Sequence, residues 1–313
     1  MIRKGWKYFL ASAAVLTAFG CGGSTEPEWR PAVRPGPGVV DRDPAAAPHE
    51  SAPMPEGVRL TESMDYDASP CWSPDGKKIA YSSYSRGSQN IMMLDIDYHA
   101  DRLSATGEPE RLTEGAFTDR DPSWSTEGNR IAFSSDRSGN FKLFTTDILT
   151  RELTELDFEG IQPTWSPAGD RIAFVYKNNI AVIRLNEEPV STMLTTSGFN
   201  EFPSWAPDGT RIVFSAGYNI VRTDNLGESR RNLTASGWNS YSDWCRSRDR
   251  IVFVSNINGA YNLWKMNSDG SGRVQLTDTP NVERFPRWSH DGRWVAFQAD
   301  YEGSFDIWAI RVD

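Results

Sequence analysis

Asp67, Asp119, Asn200, Asn239 and Glu283 stand at matching places along the chain, with Gly160 in the one remaining place of the row. The residues immediately after them are Ala68, Arg120, Glu201, Ser240 and Arg284, with Ile161 following the glycine. One or two positions before the row, aromatics recur as Tyr66, Phe117, Phe158, Phe199 and Trp238. Gathered in space, such side chains make a polar ring with an aromatic collar, suited to a peptide segment or a glycan. Asp67, Asp119, Arg120, Glu201, Tyr241 and Arg284 form the candidate partner-binding set. The competing reading is local. Asp and Asn side chains bond neighbouring backbone amides in turns, and aromatics pack beneath loops. For the Asp/Asn row and the aromatics the local reading is the simpler one, whereas Arg120, Glu201 and Arg284 fit both equally.

Other chemistry finds less support. Paired acids at one mouth could serve a lyase or glycosidase on a carbohydrate, which is the alternative to simple binding. The sequence has no Gly-x-Ser-x-Gly elbow and no glycine-rich phosphate loop. His49, His99 and His290 fall in separate regions and cannot share a site. Asp65-x-Asp67 and Asp119-x-Asp121 lack the glycine and distal glutamate of a calcium loop. Cys71 and Cys245 read as two small buried thiols, with no zinc-type spacing. The expectation is a non-catalytic protein with no cofactor and no metal.

The elements that position these residues are written as a repeat. Pro70-Cys71-Trp72-Ser73-Pro74-Asp75-Gly76-Lys77-Lys78-Ile79-Ala80-Tyr81 has six versions, aligned on Trp72, Trp124, Trp165, Trp205, Trp244 and Trp288. Nine residues after each tryptophan stands an aromatic: Tyr81, Phe133, Phe174, Phe214, Phe253 or Phe297. About twelve residues before each is a Leu-Thr pair, from Leu60-Thr61 and Leu153-Thr154 to Leu276-Thr277. The tryptophans are 52, 41, 40, 39 and 44 residues apart, and a period of about 40–45 residues built of strands marks propeller blades. Each repeat reads as four strands, with the Asp-Gly hairpin turn between the first two. The sixth copy stops after its third strand, while Glu56 to Thr61 precedes the first copy as a strand without a blade. A strand borrowed from the N-terminal side therefore completes six four-stranded blades, and the fold class is all-β. The inner-strand entry loops and the second-to-third-strand loops share one face, the longer and more varied one. Binding residues gather on such loops.

Before the repeats, Arg3, Lys4 and Lys7, the apolar run Tyr8 to Phe19, and Ala18-Phe19-Gly20 read as an export signal over residues 1–20. Cys21 follows, with Gly22-Gly23-Ser24 behind it, and looks like the lipidated cysteine of a bacterial lipoprotein. Residues 21–55 are rich in Pro, Ala and Gly and read as a tether to the propeller of residues 56–313. The expected location is a membrane, reached through the N-terminal lipid, with Gly22 favouring the outer membrane facing the periplasm. The formal charge is -9, and loss of the three cations of the signal makes it -12. That balance argues against a nucleic-acid partner, and a monomer is expected.

The Leu-Thr…Pro-x-Trp-Ser-Pro-Asp-Gly…Ile-Ala-Phe string resembles the WD40-like propeller repeat of the TolB family across residues 56–313. The same blades occur in the propellers of prolyl-oligopeptidase-type enzymes. TolB itself carries an α/β domain before its propeller, where this sequence has the signal and proline-rich stretch. The resemblance implies a six-bladed propeller and a protein or peptide partner in the cell envelope, as TolB binds the peptidoglycan-associated lipoprotein of the Tol system.

Overall fold

The computed structural model describes residues 57–62, 65–99, 102–185, 190–301 and 303–312. The signal, Cys21 and the tether lie outside the described residues. The described residues contain no helix and form six four-stranded antiparallel sheets arranged as a propeller. The innermost strands are Tyr66–Trp72, Asp119–Trp124, Ile161–Trp165, Asn200–Trp205, Asn239–Trp244 and Glu283–Trp288, in blades 1 to 6. Blades 1 to 5 are each continuous in sequence. In blade 6 the outermost strand is Gly57–Arg59, which pairs with Asp306–Arg311 through Val58 opposite Ala309. The ring is therefore closed by the strand expected from the sequence.

The repeat's conserved spacing is explained by packing between blades. The six repeat tryptophans are buried. Trp72, Trp124 and Trp205 donate their indole N–H to the backbone carbonyls of Arg287, Cys71 and Thr164 in the preceding blade, at 3.2, 3.1 and 3.2 Å. Tyr81, Phe133, Phe174, Phe214, Phe253 and Phe297 fill the middle of their sheets, none more than 2% exposed. Each aliphatic residue seven places after a tryptophan, such as Ile79 or Val295, is fully buried beside it.

The Leu-Thr pair has two tasks. In five blades the leucine packs in the core, and the threonine hydroxyl accepts an amide of the third strand. The donors are Ile307 to Thr61, Ile91 to Thr113, Ile180 to Thr195, Ile220 to Thr234 and Leu263 to Thr277, at 2.9–3.0 Å. Blade 2 departs from the expected equivalence. Leu153 and Thr154 begin its outermost strand, Leu153–Glu159, and both are exposed. That strand instead runs on to Glu159, so Gly160 alone separates it from the innermost strand of blade 3. A Cβ at Gly160 would come within 2.4 Å of Phe174, which is why this place in the polar row has no side chain.

Blade 1 is the longest. Its third and fourth strands, Ser88–His99 and Arg102–Arg111, extend past the other blades toward the face of the Asp-Gly turns. There the Tyr98 hydroxyl donates to Asp291 of the blade 6 turn. The two described cysteines, Cys71 and Cys245, are free thiols.

Candidate functional site

The residues placed in one row by sequence separate into two layers. Asp67, Asp119, Asn200, Asn239 and Glu283 are all at most 2% exposed. Asp119 accepts both of its bonds from the Arg137 guanidinium, at 2.8 and 3.0 Å. Asn200 and Asn239 donate to carbonyls of their own entry loops, Ser197 and Ser236, at 2.9 Å. Glu283 accepts from the hydroxyls of Thr277, Thr279 and Tyr301 and from the Leu263 amide. The layer staples each entry loop to its blade. Asp67 and Asp119, expected at the mouth, are thus buried within their blades, because the loop side chains turn inward to satisfy backbone and hydroxyl groups. Burial raises the Asp67 carboxyl to about 6, against the hydroxyls of Ser83 and Thr61, which lower it.

Four members of the candidate set border the channel. Arg120 and Arg284 are half-buried, with their guanidinium groups over Phe141 and Phe305 at 4.2 and 5.6 Å from the ring centres. Arg120 also lies 3.6 Å from the carboxylate of Asp121. Glu201 has its carboxyl raised by burial first and then by Asp121, with Arg120 acting in the opposite sense. Arg284, Glu201 and Asp121 all act electrostatically on Tyr241. These groups therefore share one electrostatic environment although blades 2, 4, 5 and 6 supply them.

The bulge residues of the innermost strands lie outside the candidate binding set, with the exception of Tyr241. Each innermost strand contains a β-bulge, two residues facing one on the second strand, and that one is always the buried aromatic. In blade 1 the register steps from Ala68 opposite Ser82 to Cys71 opposite Ala80, leaving Ser69 and Pro70 to face Tyr81. The first bulged residues are Ser69, Asp121, Gln162, Phe202, Tyr241 and Phe285, all with φ between 52° and 58°. A left-handed conformation costs a non-glycine residue roughly 1–2 kcal/mol, and a bulge re-aims its side chain.

Here the bulges aim into the channel and divide it into halves. Phe202, Tyr241 and Phe285 pack together with ring centres 4.4 Å (Phe202–Tyr241), 4.6 Å (Tyr241–Phe285) and 5.9 Å (Phe202–Phe285) apart. Phe202 and Phe285 belong to blades that are not neighbours, so this triad joins three consecutive blades. Trp238 and Tyr261 continue the aromatic surface outward toward the rim. On the other side, Ser69 donates to Asp121 at 3.3 Å, and Gln162 accepts the Phe202 amide at 2.7 Å. The ring of bulge residues is therefore polar over blades 1 to 3 and aromatic over blades 4 to 6, with Glu201 and Arg284 flanking the aromatic half. Phe199 and Tyr218 stay exposed on the rim above the aromatic half. This arrangement can hold an amphipathic ligand by charge-assisted bonds on one side and apolar contact on the other.

No group of three or more His, Cys, Asp or Glu side chains is placed to hold a metal ion among the described residues.

Comparison with known proteins agrees with the geometry. The family described as TolB beta propeller domain matches residues 58–223. The Tol-Pal system protein TolB of Francisella tularensis subsp. holarctica is 37% identical over 167 residues. That match covers 50% of this chain and 37% of the relative, so the shared part is well under half the length of the relative. The solved structure of TolB from Acinetobacter baumannii superposes with a TM-score of 0.57 at 18% identity, covering 80% of this chain and 63% of that one. An oligogalacturonate lyase from Vibrio parahaemolyticus superposes with a TM-score of 0.55 at 14% identity, covering 82% and 93%. At such identities the two superpositions speak for the fold alone. With its matched repeat and six closed blades, the chain belongs to the TolB beta propeller domain family.

Proposed function

We propose that this protein is a non-catalytic, lipid-anchored binding module of the bacterial cell envelope. Its ligand is a protein or peptide segment that docks at the long-loop mouth of the propeller. The observation that carries this reading is the divided mouth: Ser69, Asp121 and Gln162 with Arg120 in blades 1 to 3, and Phe202, Tyr241 and Phe285 in blades 4 to 6, where Glu201 and Arg284 add charge beside the rings. Pairing of ionic and aromatic groups is how protein interfaces obtain both specificity and affinity. The relatives named as Tol-Pal system proteins support a partner in the envelope. The cysteine at position 21 and the stretch behind it support anchoring at the outer membrane, facing the periplasm. Asp67 and Asp119 serve the loops in this reading, and Arg120, Glu201, Tyr241 and Arg284 meet the partner.

The test is co-purification after cross-linking from envelope extract, with the wild-type chain beside Arg120→Ala/Glu201→Ala/Arg284→Ala. The same partner should be recovered with the wild type and fall at least tenfold with the triple variant, whose melting temperature should stay within a few degrees. Equal recovery by both would remove the mouth from the interface. Turnover of a polysaccharide by the wild type, lost in Glu201→Gln, would establish a carbohydrate-active enzyme instead.

A further inference from the structure

On the face of the Asp-Gly turns the channel opens again, below the aromatic triad. All six repeat tryptophans border this vestibule, a cavity of about 80 Å³. Its walls are unequal. Blades 1 to 4 contribute neutral groups, among them Cys71, Ser123, Thr164 and Ser204, while blades 5 and 6 contribute Arg246, Arg287 and His290. The only carboxylate lining it is Asp243. That carboxylate is already engaged, accepting from the Ser204 hydroxyl at 3.0 Å and the Trp288 amide at 2.9 Å, with Arg287 at 4.0 Å. Arg246 makes no hydrogen bond or ion pair among the described residues. Both guanidinium groups act electrostatically on the Cys71 thiol in blade 1, so they face the same space from two blades. The turn carboxylates Asp75, Asp208 and Asp291 lie further out and are bonded within their own turns.

A half-buried guanidinium without a hydrogen-bonding partner, sharing the single carboxylate of Asp243 electrostatically with Arg287, leaves the wall of this cavity with a net positive charge. Guanidinium donors form a planar fork that fits the oxygens of a carboxylate or phosphate two at a time. We propose that the turn-face vestibule is a second binding site, independent of the long-loop mouth, for a small anion. Its carboxylate or phosphate group sits between Arg246 and Arg287, and its remaining surface meets Pro74, Pro167 and the tryptophan edges.

The ring of tryptophans supplies the readout. Inorganic phosphate and N-acetylglycine are titrated separately into the full chain at low ionic strength, following intrinsic fluorescence, with sodium chloride at matched ionic strength as the control. A saturable change with at least one of the two anions is expected, and the one that acts identifies the anionic group. Arg246→Gln should weaken that binding at least tenfold with little change in melting temperature, because Arg246 makes no hydrogen bond or ion pair among the described residues. The variant lacking Arg120, Glu201 and Arg284 should bind the anion as the wild type does, which separates the two sites. No saturable response to either anion, or equal binding by Arg246→Gln, overturns the proposal.

Discussion

Asp67 shows how a side chain of the right type for chemistry can be committed to structure. It sits beneath its loop at 1% exposure, near Asp306, and its carboxyl is raised from 3.8 to about 6 by burial. A folded-state value above the unfolded one means that the folded protein holds the proton more tightly. The resulting stabilisation is complete below pH 3.8 and is lost as pH rises through about 6. At neutral pH the ionised carboxylate is therefore a net cost, on the order of 3 kcal/mol for a shift of this size. Asp67→Asn keeps an acceptor for Ser83 and Thr61 without the charge. It should unfold in denaturant with a midpoint above the wild type at pH 7.5, and the difference should vanish near pH 4. A variant less stable than wild type at pH 7.5 would show that the ionised group is stabilising in place. Asp119, in the next blade, is held differently: the Arg137 guanidinium answers its charge directly. Two carboxylates at the same place in the repeat thus have different partners, and no residue type in the row announces which is which.

At the scale of strands, the repeat was legible wherever a residue does the same work in every blade. The tryptophans, the buried aromatics nine places later and the closing strand could all be placed from spacing, because inter-blade packing leaves few substitutes for a large side chain. The Leu-Thr pair was legible in five blades and misleading in blade 2, where Leu153 and Thr154 keep the letters but lie on an exposed edge. The distinction can be measured. Thr195→Val removes the acceptor of the Ile180 amide in a buried setting, and an orphaned buried donor costs about 1–3 kcal/mol. Thr154→Val removes nothing comparable and should shift stability by less than about 0.5 kcal/mol. Chemical denaturation of the two variants should separate them; similar losses would mean that Thr154 has a role absent from the fold described above. The bulge ring was not legible, for a physical reason. A bulge is a property of register between two strands, and its first residue here is Ser, Asp, Gln, Phe, Tyr or Phe. No composition rule joins those six. The nearest signal in sequence is their common position three residues before the tryptophan, opposite the invariant aromatic.

For the molecule as a whole, stability rests on closing a ring whose last sheet draws on residues about 250 positions apart. The closing strand is only Gly57–Arg59, yet its contacts are of high value. Arg59 pairs at 2.7 Å with Asp306, a carboxylate at 0% exposure, and the Leu60 amide donates to the Ile307 carbonyl at 2.7 Å. Thr61 then accepts the Ile307 amide. Removing one member of a buried pair leaves the other charge uncompensated, which costs about 3–5 kcal/mol. It also bares the edge of Asp306–Arg311, a strand carrying Ile307, Trp308 and Ile310, and exposed apolar edges recruit other chains. A chain truncated through Thr61 should therefore elute as oligomers or aggregate in size-exclusion chromatography with light scattering, whereas truncation through Pro55 should leave a monomer. A synthetic peptide of residues 56–62 added during refolding should restore the monomer by supplying the missing strand in trans. If the shorter chain is instead monomeric and melts with the longer one, the five complete blades hold the ring without its clasp. Blade 6 would then be a dependent element rather than the point on which closure turns.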